Sequence, residues 1–308
     1  MAKEFAAITW DAPVEDDCRQ LVRLAVREDL GRGFDWTTLA LVAEGTPGRA
    51  DVVAREAGVV AGLRAAPLIF DEMDVAIQWR PQCEDGDAIA ETTVLAGIEG
   101  EARDLLTCER LLLNLLGRLS GVATLTRRYV DAVAGTSARI YDTRKTTPGW
   151  RRLEKYAVHC GGGANHRTGL FDAVLIKDNH LAVGSQSGRP MSPREAAERA
   201  RRFVEEMPPE GNAPDSVIIE VEVDTLEQLA DVLPAKPDIV LLDNMPPDVL
   251  RQAVALRDGR APAVQLEASG GINLSTVRVI AECGVERISV GALTHSAVSL
   301  DVALDWRR

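Results

Sequence analysis

From about residue 120 onward the chain repeats one arrangement: a short, nearly continuous apolar run that stops at a polar residue or glycine, followed by helical periodicity. The runs fall at 138–144, 173–177, 217–223, 239–243, 264–269 and 287–291, and amphipathic patterns occupy 193–207, 226–233, 247–256 and 274–283. Apolar runs without alternation suit strands covered on both faces, and an intervening helix is the crossover that parallel pairing requires. The pattern predicts a parallel α/β unit. A barrel is the expected closure, with an incomplete barrel or an open sheet as the alternatives that six strands leave.

The first 120 residues have a different texture. Asp11 and Pro13 precede a helical pattern through Val14, Cys18, Leu21, Val22 and Ala25, and Gly31 is placed to stop it. Alternating and β-branched stretches follow at 49–60, 75–79 and 91–96, separated by turn signals such as Glu84-Asp85-Gly86-Asp87. A strongly apolar helix is expected from Glu109 through Leu111, Leu112, Leu115, Leu116 and Leu119, with a face wide enough to be buried by another element or another subunit. We therefore expect a small mixed α/β domain over 1–119, onto which the segment 295–308 packs back, and a barrel domain over 120–294.

The formal charge of −12 argues against general binding to nucleic acid or anionic membrane, which needs a cationic excess. The five cysteines are scattered with no C-x-x-C pair, as expected of reduced thiols in a cytosol, and no apolar stretch approaches the roughly 20 residues that span a bilayer. A cytoplasmic protein is expected. Against the acidic background, residues 142–180 carry seven Lys or Arg and four Asp or Glu, hence +3, together with three of the four histidines and a Gly161-Gly162-Gly163 run. A local cationic pocket in an acidic protein points to a small polyanionic substrate.

In parallel sheets and barrels the chemistry gathers at the C-terminal strand ends. Those ends read Asp142-Thr143-Arg144-Lys145, Lys177-Asp178-Asn179-His180, Glu222, Asp243-Asn244, Ser269-Gly270-Gly271 and Val290-Gly291-Ala292. The two glycine-containing ends match a phosphate site made of backbone N–H groups. Arg144, His166 and Arg167 offer directional donors for carboxylates, and Lys145 and Lys177 are compact charges for phosphate or pyrophosphate. Glu222 and Asp243 suit a divalent ion held through water, sugar hydroxyls, or ion pairs with the lysines. Arg151, Arg152 and Lys155 lie on a helix where a solvated face is as good a reading as a binding role, and His159 and Cys160 read as structural.

Taken together, DTRKT at 142–146, GGGANHR at 161–167 and LIKDNH at 175–180 resemble quinolinate phosphoribosyltransferases, and the resemblance spans nearly the whole chain. It includes Glu28-Asp29, Glu109-Arg110 with Leu113-Asn114, 120–124, 142–151, 155–180, 220–223, 241–244, 267–271 and 289–292. It implies an N-terminal α/β sandwich joined to an incomplete α/β barrel, a homodimer or larger assembly, and Mg²⁺ as cofactor. The implied reaction joins quinolinate to phosphoribosyl pyrophosphate and releases pyrophosphate and CO2, leaving nicotinate mononucleotide for NAD synthesis. By motif, Arg144, His166 and Arg167 fall on the quinolinate carboxylates, Arg110 completes that pocket from a neighbouring subunit, and Thr143 falls among the substrate-binding residues. Lys145, Lys177, Glu222 and Asp243 fall in the phosphoribosyl and metal region, and Ser269, Gly270, Gly271, Val290, Gly291 and Ala292 fall in the phosphate loops. Two positions depart from the family pattern: His159 stands where many relatives have Arg, and the run Gly33-Phe34-Asp35-Trp36-Thr37-Thr38 replaces Gly-Asp-x-Thr. A transferase for another aromatic acid and a non-catalytic phosphoribosyl sensor are the competing readings.

Overall fold

The computed structural model describes residues 3–184, 189–207 and 216–307; residues 1–2 and 308, at the ends of the expected N-terminal domain and returning segment, lie outside that range. The first helix, α1 (Ala12–Leu30), starts where Asp11 accepts a hydrogen bond from Val14 N–H and stops at Gly31, as its cap signals predict. Asp35 caps a short α2 (Trp36–Leu41), and α3 (Ala65–Glu72) packs against α1. The strands of this region are β1 (Pro47–Ala54), β2 (Gly58–Val59), β3 (Gln78–Pro81), β4 (Ala88–Ile89) and β5 (Val94–Glu101). The run expected at 49–60 is thus two strands, and the later two begin three residues beyond their expected starts.

Helix α4 (Ala102–Ala132) begins seven residues before Glu109 and continues past the expected domain boundary at 119/120. Its apolar stripe is buried within the chain, with Leu111, Leu112, Leu115, Leu116 and Leu119 all 5 % exposed or less. Beyond it lie β6 (Arg139–Tyr141), α5 (Arg151–Cys160), β7 (Val174–Ile176), α6 (Asp178–Val183), α7 (Pro193–Glu206), β8 (Ile219–Val223), α8 (Leu226–Val232), β9 (Ile239–Asp243), α9 (Pro247–Arg260), β10 (Gln265–Ser269), α10 (Val277–Ala281), β11 (Arg287–Ser289) and α11 (Ala292–His295). All six expected strands form, several of them shorter than the apolar runs because the polar ends turn into loops. The parallel sheet has the order β6-β11-β10-β9-β8-β7, and among the described residues no pairing joins β6 to β7. The chain ends as β12 (Val302–Trp306), antiparallel to β1, completing a four-stranded sheet of order β12-β1-β5-β3.

The compact units interleave along the chain and are not separated by a single cut. One contains residues up to Ala6, Tyr129–Arg144 and Ala164–Gly291; the other contains Ala7–Arg128, Lys145–Gly163 and Ala292 onward. The physical reason is that α5 packs on α1 and α11, drawing residues 145–163 away from the strands that flank them in sequence. The five cysteines are free thiols, and no described helix is long and apolar enough to cross a membrane.

Candidate active site

Alternation along parallel strands places every second residue on one face. In register, that face carries Glu222, Leu241, Glu267, Arg287 and Arg139 across five neighbouring strands. One step toward the C-terminal ends it carries Asp243 beside Ser269. Parallel barrels usually fill such a face with branched aliphatic side chains. Here it is largely ionic.

At the C-terminal ends, Lys177 Nζ forms an ion pair with Glu222 Oε2. Burial raises the Glu222 pKa, Lys177 pulls it down, and the Asp243 and Asp178 carboxylates push it back up, for a net rise. A half-buried carboxylate with a second carboxylate near it suits a cation beside it. Asn244, at φ 54°, donates from Nδ2 to Asp243 Oδ2 at 2.7 Å and from its backbone N–H to Ser269 O at 2.9 Å. A Cβ on Gly270 would lie 2.2 Å from Asn244 Oδ1, so glycine is required there, while Gly271 has open space beside its Cα. His180 serves α6, its Nδ1 accepting the Lys177 N–H at 2.9 Å.

At the end of β6, Asp142 is fully buried and clamps the loop that carries the next cations: Oδ1 accepts from His166 N–H at 2.8 Å and Oδ2 from Asn165 Nδ2 at 2.7 Å. Arg167 is 6 % exposed, tethered by its N–H to His166 Nδ1 at 2.8 Å and by Nη1 to Ala173 O at 3.3 Å. Burial and then the neighbouring Arg144 charge lower the Arg167 pKa. The Nε atoms of both Arg144 and Arg167 are buried without a hydrogen-bond partner. Two like-charged guanidiniums, each with a buried Nε donor that has no partner within the chain, are suited to an anion with more than one acceptor group.

Behind them, His166 Nε2 lies 3.0 Å from Glu220 Oε2 and 3.6 Å from Glu267 Oε1, and Arg287 Nε donates to Glu267 Oε2 at 2.8 Å. Burial opposes a charge on His166, but the two carboxylates outweigh it and raise its pKa. The Arg167 N–H on Nδ1 works the other way, pinning the uncharged ring with its proton on Nε2. That tautomer leaves no lone pair on Nε2. The His166, Glu220 and Glu267 atoms lie within 4.8 Å of one another, yet this arrangement is an ionic network and not a metal site. Both His166 nitrogens are engaged inside the chain.

Several expected residues fall in the other unit. Lys145 is exposed, and its carbonyl accepts from Thr294 Oγ1 of α11 at 2.7 Å. Arg110 is exposed on α4, His159 is exposed in the last turn of α5, and Ala292 opens α11. The solvated-face reading fails for Lys155, which is fully buried: Leu153 through Val158 of α5 are all buried. Within this unit Glu154 accepts from Thr147 N–H at 3.0 Å and Oγ1 at 2.9 Å, fixing the turn that follows Lys145. In the strand unit, Thr143 and Gly291 are half-buried, and the Val290 N–H donates to Tyr141 O at 2.9 Å. The sequence reading did not single out Asp142, Asn244, Glu220, Glu267 or Arg287 as site residues. The signal for the last three was charge at alternate positions of otherwise apolar strands, as in Glu220-Val221-Glu222 and Gln265-Leu266-Glu267.

The family models described as quinolinate phosphoribosyl transferase, N-terminal and C-terminal domains, match residues 35–120 and 122–305. The nicotinate-nucleotide pyrophosphorylase [carboxylating] of Mycobacterium leprae is 46 % identical over 293 residues, covering 94 % of this chain and 97 % of that protein. A probable enzyme of the same name from Bacillus subtilis is 41 % identical over 278 residues, covering 90 % and 89 %. Among solved structures, the nicotinate-nucleotide pyrophosphorylase of Francisella tularensis superposes with a TM-score of 0.86 at 33 % identity, covering 99 % of this chain and all of that one. By the two domain models, which together span residues 35–305, and by the near full-length relatives, the chain belongs to the quinolinate phosphoribosyl transferase family.

Proposed function

We propose that this protein transfers the phosphoribosyl group of phosphoribosyl pyrophosphate to quinolinate with loss of CO2, forming nicotinate mononucleotide and pyrophosphate in de novo NAD biosynthesis. The observation that carries the reading is the pair Arg144 and Arg167, with mutually unfavourable charges and buried, unpartnered Nε donors at one strand end. A pyridine dicarboxylate answers both. His166 contributes by holding the Arg167 backbone. Lys145 and Lys177 neutralise the departing pyrophosphate, and the open backbone at Gly271 with Ser269, Gly270, Gly291 and Ala292 receives the phosphates. Loss of the 2-carboxylate after ring quaternisation needs orientation and exclusion of water, so no covalent nucleophile enters.

Glu222 and Asp243 fit a divalent ion: both offer hard oxygen ligands, and the Glu222 pKa, raised first by burial and then by the Asp243 and Asp178 carboxylates, would be lowered by a cation beside it. Bound there, directly or through water, Mg²⁺ supplies electrostatic stabilisation of the pyrophosphate leaving group. We further read the functional unit as a homodimer or larger assembly with Arg110 donated across the interface, in the cytoplasm that five free thiols suit. Purified protein supplied with Mg²⁺, phosphoribosyl pyrophosphate and quinolinate is expected to form nicotinate mononucleotide and CO2 in equal amounts, with nicotinate a poor substitute. Equal or faster turnover of nicotinate, followed by chromatography of the products, overturns the dicarboxylate reading.

A further inference from the structure

The segment Lys3–Phe5 crosses the end of the parallel sheet opposite the strand ends just described. Lys3 Nζ donates to Val217 O at 2.8 Å and pairs with Asp238 Oδ1 at 3.1 Å, contacts that lie immediately before β8 and β9. Glu4 accepts from Tyr141 Oη at 2.9 Å and from Arg287 Nη1 at 3.0 Å. Phe5 directly follows those anchors. Its ring stacks on His166 with centroids 4.6 Å apart and packs against the buried Ala173, Ile218 and Ile239. His166 and Ala173 are the two residues to which Arg167 is tethered, one through its backbone N–H and the other through Nη1. Phe5 thus supports both tethers of Arg167.

We infer that Phe5 is a positioning residue for the carboxylate-binding pocket: the segment Lys3–Phe5 holds the His166 ring and the Ala173 carbonyl where they orient the Arg167 guanidinium. This rests on the function proposed above for the substrate it names. The stack fixes the ring plane of His166, and the ring plane aims Nδ1 at the Arg167 N–H. Without the phenyl ring, a cavity opens beside both tethers, and buried side chains move into such space. Arg167 then samples orientations that do not bind the carboxylate.

The test compares Phe5→Ala, Phe5→Leu and the double variant Lys3→Ala/Glu4→Ala in the full chain. Phe5→Ala is expected to raise KM for quinolinate about tenfold while kcat and the KM for phosphoribosyl pyrophosphate stay within about twofold, the signature of lost binding by one substrate. Phe5→Leu, which refills the space, should return within about threefold of the parent. The double variant removes the anchors without opening a cavity and should show the same selective loss, about threefold to fivefold. Hydrogen exchange read by mass spectrometry needs no substrate and separates this inference from the proposed function. Exchange across residues 164–172 should accelerate in Phe5→Ala and in the double variant, whatever the parent enzyme turns over. Should Phe5→Ala fail to fold, parental exchange and parental quinolinate KM in the double variant overturn the inference. So does an equal loss for both substrates in any folded variant.

Discussion

Arg144 and Arg167 do by placement what neither does by identity. An arginine on a surface is hydrated and costs nothing, whereas each of these two keeps a buried Nε donor without a partner in the chain, which an incoming anion can satisfy. Arg144→Ala should weaken quinolinate by about 2–3 kcal/mol, or about 30- to 150-fold, with a far smaller effect on phosphoribosyl pyrophosphate. Lys177→Ala should show the reverse preference or a fall in kcat, since its charge sits against Glu222. Isothermal titration of each ligand into each variant decides it, and identical losses for both ligands in both variants contradict the assignment. The cations were legible in the sequence because they crowd into one segment of an acidic chain. Glu220, Glu267 and Arg287 were not, because whether an alternate strand position faces inward depends on which strands pair.

Helices illustrate how close approach overrides propensity. In α4 a Cβ on Gly121 would fall 2.0 Å from Val298 O, and one on Gly117 would fall 2.9 Å from Leu300 O. The helix is therefore notched to admit the backbone of 298–300, which leads into β12. In α9, a Cβ on Gly259 would meet nothing within 4 Å. Helix propensity alone favours alanine over glycine by about 0.8–1 kcal/mol at either place. The overlap reverses the sign at Gly121. We expect Gly121→Ala to destabilise by about 1–3 kcal/mol or more and Gly259→Ala to be neutral or stabilising in urea unfolding. A Gly121→Ala protein as stable as its parent would show that the notch is not needed. The start of α4 was also illegible at the sequence level: β5 runs straight into it with no intervening residue, and the apolar stripe becomes dense only after Glu109.

For the whole molecule, the proposed assembly has a direct test in Arg110, exposed on α4 and far in sequence from the strand ends. If it completes a neighbour's pocket, Arg110→Ala and Lys177→Ala homodimers are each nearly inactive. Random exchange makes about half the dimers mixed, and two-fold symmetry gives each mixed dimer one site with neither substitution and one with both. Mixing equal amounts should restore roughly a quarter of parental activity. Recovery no greater than the separate variants, with exchange verified by native mass spectrometry, places Arg110 within its own chain. By itself the sequence determined the parallel α/β alternation and the family, since periodicity and local motifs are properties of neighbouring residues. Only the tertiary structure decided that residues 145–163 leave the strand unit, that the sheet face is ionic, and that Phe5 stands behind Arg167. Each of these joins residues distant along the chain, and such contacts are chosen by how whole surfaces pack, which no local pattern encodes.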